Sequence, residues 1–70
     1  MANMNVRVTR LVTDNIAYVM DFASARQYAF RRALVAEDTM REGAIYNVET
    51  DEEGNDPEKI VSATYLGFGD

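Results

Sequence analysis

Two runs in this 70-residue chain have the composition of a site. The first, Glu49-Thr50-Asp51-Glu52-Glu53-Gly54-Asn55-Asp56-Pro57-Glu58, is dense in carboxylates. Hard oxygen donors at alternate positions are what a calcium loop needs. With Gly54 as the turn glycine, Glu49, Asp51 and Glu53 fall on the first three ligand positions. The closing bidentate glutamate, however, is replaced by Ile60, so the run lacks the ligand that makes affinity. The spacing predicts instead an exposed, mobile hairpin loop over 49–58, whose acids keep the chain in solution and blunt a strand edge. In a functional role, Glu49, Asp51, Glu52, Glu53, Asp56 and Glu58 would meet a basic surface on a larger protein, where charge speeds encounter and selects partners.

The second run, Arg26-Gln27-Tyr28-Ala29-Phe30-Arg31-Arg32, interleaves cations with aromatics. On a strand, Arg26, Tyr28, Phe30 and Arg32 share one face, the composition of a stacking platform for single-stranded nucleic acid. Together with Arg31 they form a second candidate face. The competing reading places Tyr28 and Phe30 in the core and pairs the arginines with acids. It is favoured because phosphate binding follows summed positive charge, and the chain carries −5.

Catalysis has little to work with. The chain has neither histidine nor cysteine. That removes the usual zinc ligands, the usual general base at neutral pH and the usual nucleophile systems. The expectation is a protein that is not an enzyme and holds no metal and no cofactor. The charge is divided unevenly. Residues 1–36 carry five arginines against two aspartates, a net of +3, while residues 37–70 carry two cations against ten acids, a net of −8. No apolar run approaches the roughly 20 residues that span a bilayer, and no secretory signal opens the sequence. Without cysteine, a cytoplasmic location is expected.

The elements that must position these residues are short and mostly extended. Val6 and Val8 alternate with Arg7 and Thr9, which predicts a strand over 5–12. Thr13-Asp14-Asn15 is turn chemistry. Ile16, Tyr18, Met20 and Phe22 alternate with Ala17, Val19 and Asp21, a second strand. Tyr18, Phe22, Tyr46 and Tyr65 are expected to fill the interior, since aromatics supply much of the buried area in a small core.

Residues 24–40 read two ways. Ser24 and Gln27 form a capping box that favours a short helix, while Tyr28 and Phe30 favour a strand ending near Arg32, followed by a helical turn. Further strands are predicted over 44–49 and 59–66, with a frayed tail at 67–70. One domain of 70 residues with five short strands predicts a mainly β fold: a small five-stranded antiparallel barrel, SH3-like or OB-like. The alternative is α+β with one helix near 24–40.

The runs Val8-Thr9-Arg10, Ala17-Tyr18-Val19, Leu34-Val35-Ala36-Glu37 and Arg41-Glu42-Gly43-Ala44-Ile45 resemble a family of small uncharacterised bacterial proteins. The resemblance covers residues 8–49 and departs from the family pattern at Thr9, Val35 and Ala44. It implies only a small β-rich fold.

The functional expectation is a non-enzymatic protein-binding regulatory module, comparable to the inhibitors that phages direct at a host RNA polymerase or nuclease. The alternatives are a nucleic-acid-binding barrel using the Arg/aromatic strand and a structural subunit of a larger assembly. The oligomeric state is left open. No membrane association is expected.

Overall fold

A computed structural model describes residues 2–36, 38–51 and 59–69. Five strands follow one another: β1 (Ala2–Leu11), β2 (Ile16–Asp21), β3 (Gln27–Arg31), β4 (Ala44–Asp51) and β5 (Lys59–Phe68). All neighbours are antiparallel, in the order β3-β2-β1-β4-β5. The three-stranded meander β1–β2–β3 and the hairpin β4–β5 thus join through the pairing of β1 with β4. The sheet curls into a half-barrel that brings β3 and β5 into contact. Of the two barrel kinds expected, this connectivity fits the OB-like one.

Among the described residues there is no α-helix; the only helical piece is a 3-10 turn at Arg32–Leu34. The helix expected as an alternative near 24–40 is replaced by a turn, β3 and that short 3-10 piece. Gln27 to Arg31 pair with β2 from Met20 back to Ile16, which gives their backbone groups partners that a helix would have had to supply internally. The flanking strands also run longer than predicted: β4 continues to Asp51 and β5 to Phe68.

The core consists of Val6 and Val8 from β1, Ala17 and Val19 from β2, Phe30 from β3, Ala44, Tyr46 and Val48 from β4, Ile60 from β5, and Met40 from the β3–β4 connection. Phe30 and Tyr46 are its two large rings, fully buried with centroids 4.7 Å apart. Tyr65, half-buried, adds a third ring 5.6 Å from Tyr46.

Expectation and structure part at Tyr18 and Phe22, which do not fill the interior. They are 36% and 54% exposed, and β2 turns Ala17, Val19 and Asp21 inward instead. Interior positions of a small barrel must mix large and small side chains to fit the available width. Phe30 lies beside Ala17, and two opposed large residues would not fit there.

Bulges explain where simple alternation fails. Val8 opposes Val19 and Arg10 opposes Tyr18, so Thr9 is an extra residue; its hydroxyl donates to the Tyr18 carbonyl at 3.3 Å. In β5, Thr50 opposes Ile60 and Glu49 opposes Ser62, which leaves Val61 extra. That shift is why Ile60 and Ala63, on opposite faces by strict alternation, both pack on the core.

Candidate functional site

The two candidate faces read from sequence fare differently. Arg26, Tyr28, Phe30, Arg31 and Arg32 are not brought together as one surface. Phe30 is fully buried, and Tyr28 is half-buried against the core. The inner face of β3 therefore belongs to the interior, as the competing reading held. Arg26 lies just before β3 with its guanidinium 5.9 Å from the Tyr28 ring centroid. Arg32 opens the 3-10 turn and pairs with Asp38 at 3.4 Å. Arg31 points the other way, exposed on the outer side opposite Ile16.

Of the acidic candidates, Glu49 and Asp51 are half-buried residues on the outer side of β4, opposite Ser62 and Lys59 of β5. Glu52, Glu53, Asp56 and Glu58, with the mobile loop expected around them, lie outside the described residues. Among the described residues no three carboxylates gather as a metal site would require.

The surface that sequence reasoning missed is the outer side of β1–β2–β3. β2 sends Ile16, Tyr18 and Met20 outward, and Phe22 continues the line just past its end. Register places their neighbours. Arg7 lies opposite Met20, and Arg10 opposite Tyr18, on the β1 side. On the β3 side Gln27 lies opposite Met20, Ala29 opposite Tyr18 and Arg31 opposite Ile16. The result is an apolar line with guanidiniums on both flanks.

Arg7 sits 5.8 Å from the centre of the Phe22 ring, a cation–π approach that places both on this face. No carboxylate shares it among the described residues: the strands' only acid, Asp21, is buried on the inner side. A signal for this face was in the sequence. Ile16-Ala17-Tyr18-Val19-Met20 offers one face of large side chains and one of small, and either could be the inner one.

Hydrogen bonds pin both ends of the face. Thr13 accepts the N–H groups of Asn15 and Ile16 at 3.1 Å each, fixing the turn into β2. At its other end the Asp21 carboxylate accepts the Ala23 N–H at 2.9 Å and the Ser24 hydroxyl at 2.8 Å. The Phe22 N–H donates to the Asn5 carbonyl at 3.1 Å. Ala25 completes the turn in the left-handed region, at φ 60°.

Elsewhere, a cavity of 360 Å³ opens at one end of the barrel between Leu11, Asp14, Arg32, Asp38 and Met40. Another of 330 Å³ lies between Val35, Thr39 and Tyr65. Near the second, the Thr39 and Tyr46 hydroxyls share a hydrogen bond. Burial pushes the Tyr46 phenol above its ordinary value, outweighing the lowering effect of that bond, and Tyr65 and Asp38 add to the rise. Among the described residues, no helix is long and apolar enough to cross a membrane.

Comparison with protein-family models, with curated proteins and with solved structures returns no match.

Proposed function

We propose that this chain is a small non-enzymatic module that binds a larger protein through the outer face of β1–β2–β3. The observation that supports the reading is the outward line Ile16, Tyr18, Met20 and Phe22, bracketed by Arg7, Arg10 and Arg31. Contiguous exposed apolar residues on a small domain mark interaction sites. The composition is also that of an interface centre: aromatics, methionine and arginine, with no lysine, glutamate or aspartate among the described residues on the outer side of these strands.

Glu49 and Asp51 on the outer side of β4 give the module a second electrical face, where a basic patch on the same partner would dock. A compact binder of this kind acts as a regulator or inhibitor by occupying a surface the partner needs. A second reading is favoured by the same residues: two accessible rings and three arginines are also a platform for single-stranded nucleic acid.

Site-specific photo-crosslinking tests the proposal. A crosslinking amino acid at position 20 should join the module to one protein from its native host. The same group at position 64, on the outer side of β5, should not. Tyr18→Ser with Phe22→Ser should remove the product. Crosslinking from both positions alike, or from neither, would overturn the reading.

A further inference from the structure

The outer face also fixes the shape and charge of what it takes. We infer that its occupant is an amphipathic helix of the partner, three to four turns long, with an apolar stripe flanked on both sides by acids. The inference rests on the protein-binding reading above and adds the partner's chemistry to it.

Dimensions come first. From Ile16 to Phe22 the line runs six residue steps, about 20 Å at about 3.3 Å each. A helix covers that length with about 13 residues at about 1.5 Å per residue. β1 and β3 stand about 10 Å apart across β2, two strand spacings, which matches the width of one helix. The outer face is convex, so a helix lying along β2 touches mainly the apolar line. Long side chains from the flanking strands reach up beside it, and Ala29, opposite Tyr18, leaves room on the β3 side.

Charge decides between occupants. Arg7 and Arg10 rise on one flank and Arg31 on the other, with no carboxylate among the described residues on these strands' outer side. Arg32, a neighbour of the face, pairs with Asp38 off this surface. A helix with glutamates or aspartates on both sides of its apolar stripe would satisfy both flanks, and arginine suits this pairing because its planar fork binds carboxylates in two-point fashion.

A second copy of this chain meeting face to face would instead bring six guanidiniums together. Single-stranded nucleic acid would find only two rings to stack on, Tyr18 and Phe22, with the aliphatic Met20 between them and Ile16 beyond. A basic helix would be rejected by like charge.

The test uses the whole chain and three synthetic 16-residue peptides that share one leucine stripe. Their flanking positions carry glutamate, lysine or glutamine. A 12-nucleotide oligo-dT is the fourth probe. Fluorescence anisotropy reads binding and circular dichroism reads peptide helicity. The glutamate peptide should bind at least about tenfold more tightly than the lysine peptide and gain helicity on binding. Arg10→Glu with Arg31→Glu should abolish that preference. Thr64→Glu, which adds a negative charge on the outer side of β5, should leave it intact.

Equal affinity for the glutamate and lysine peptides would overturn the inference. So would tighter binding of oligo-dT, or self-association in sedimentation that protects position 20. If no peptide binds while position 20 still crosslinks to one host protein, the helix is wrong and the protein-binding reading stands. If neither is seen, both fall.

Discussion

β2 and β3 lie side by side and carry similar alternating patterns, yet they face opposite ways. In β3 the rings Tyr28 and Phe30 turn inward and the arginine at 31 turns out. In β2 the large residues Ile16, Tyr18 and Met20 turn out, and Ala17 and Val19 turn in. Alternation gives the period of a strand but not its sign. The sign is set by the interior. Phe30 and Tyr46, 4.7 Å apart, occupy the middle of the half-barrel, and the space left opposite them admits alanine and valine. The same competition for volume that hides β3's aromatics exposes those of β2, and so creates the docking face.

Truncating the two rings in parallel puts the sharpest strain on that comparison. Phe30→Ala empties the centre of the core and should cost about 3–5 kcal/mol, enough to unfold much of so small a domain. Tyr18→Ala removes a ring that is 36% exposed and should cost about 1 kcal/mol or less, mostly lost strand preference. Urea unfolding of both variants reads the contrast. Similar costs would mean that β2 does not present its large face to solvent.

How much of this was legible beforehand follows from the same two strands. The existence and approximate bounds of β1, β2, β4 and β5 could be read from β-branched alternation and turn residues, as with Val6 and Val8 or Thr13-Asp14-Asn15, whereas β3 stays open between strand and helix until its pairing with β2 decides it. The burial of Phe30 could be weighed against a surface role but not decided. The orientation of β2 differs from expectation because size is no guide to burial here: Ala17 is buried by what stands beside it. The bulges at Thr9 and Val61 left no local signature: no glycine or proline marks either, and each is visible only as a shift in pairing. The outer face is therefore decided by the assembled sheet: the run 16–20 offers a large and a small face, and only the interior says which is buried.

Asp21 is where β2 hands over to the turn, and removing it should have the next largest effect. Its carboxylate holds both the Ala23 N–H and the Ser24 hydroxyl. Asp21→Ala leaves these donors without their partner and should cost about 1–3 kcal/mol. Asp21→Asn, which keeps one acceptor oxygen, should cost less. Because a one-residue slip would exchange the faces of a strand, the variant should also weaken protection of the β2–β3 amides in hydrogen exchange. Full protection there would show that the register is fixed by the core alone.

Tyr46 probes the interior that excludes β2's large side chains. Tyr46→Phe removes the hydrogen bond to Thr39 and should cost about 0.5–1.5 kcal/mol at neutral pH. Its pH signature has a definite sign. The native phenol titrates above its ordinary value because it is buried, whereas in the unfolded chain it ionises near pH 10. Above that pH the unfolded chain releases a proton that the native protein keeps. The contribution is therefore complete below about pH 10 and is lost as pH rises through the native value. Unfolding curves between pH 8 and 11 should show stability falling more steeply in the parent than in Tyr46→Phe. Parallel curves would contradict a buried, raised phenol.

The smallest expected effect comes from the turn that joins the two strands, and it has the opposite sign. Ala25 sits at φ 60°, where an L-residue's Cβ crowds the following carbonyl, at a cost of about 1–2 kcal/mol. Glycine adopts that conformation freely but has more unfolded-state entropy to lose, roughly 0.5–1 kcal/mol relative to alanine. The balance for Ala25→Gly is a gain of about 0.5 kcal/mol, seen as a small rise in the urea midpoint with unchanged slope. The backbone bonds that close the turn, Ala25 N–H to the Asp21 carbonyl at 2.8 Å and Asp21 N–H to the Arg26 carbonyl at 3.0 Å, require that conformation and hold β2 against β3 in register. Relief of strain should therefore stabilise the turn without moving the face, and the charge preference for helical peptides should be the same in Ala25→Gly as in the parent. A loss of stability would mean that residue 25 is not held in the left-handed region. Unchanged stability with altered peptide preference would mean that the turn, rather than the flanking arginines, sets what the outer face accepts.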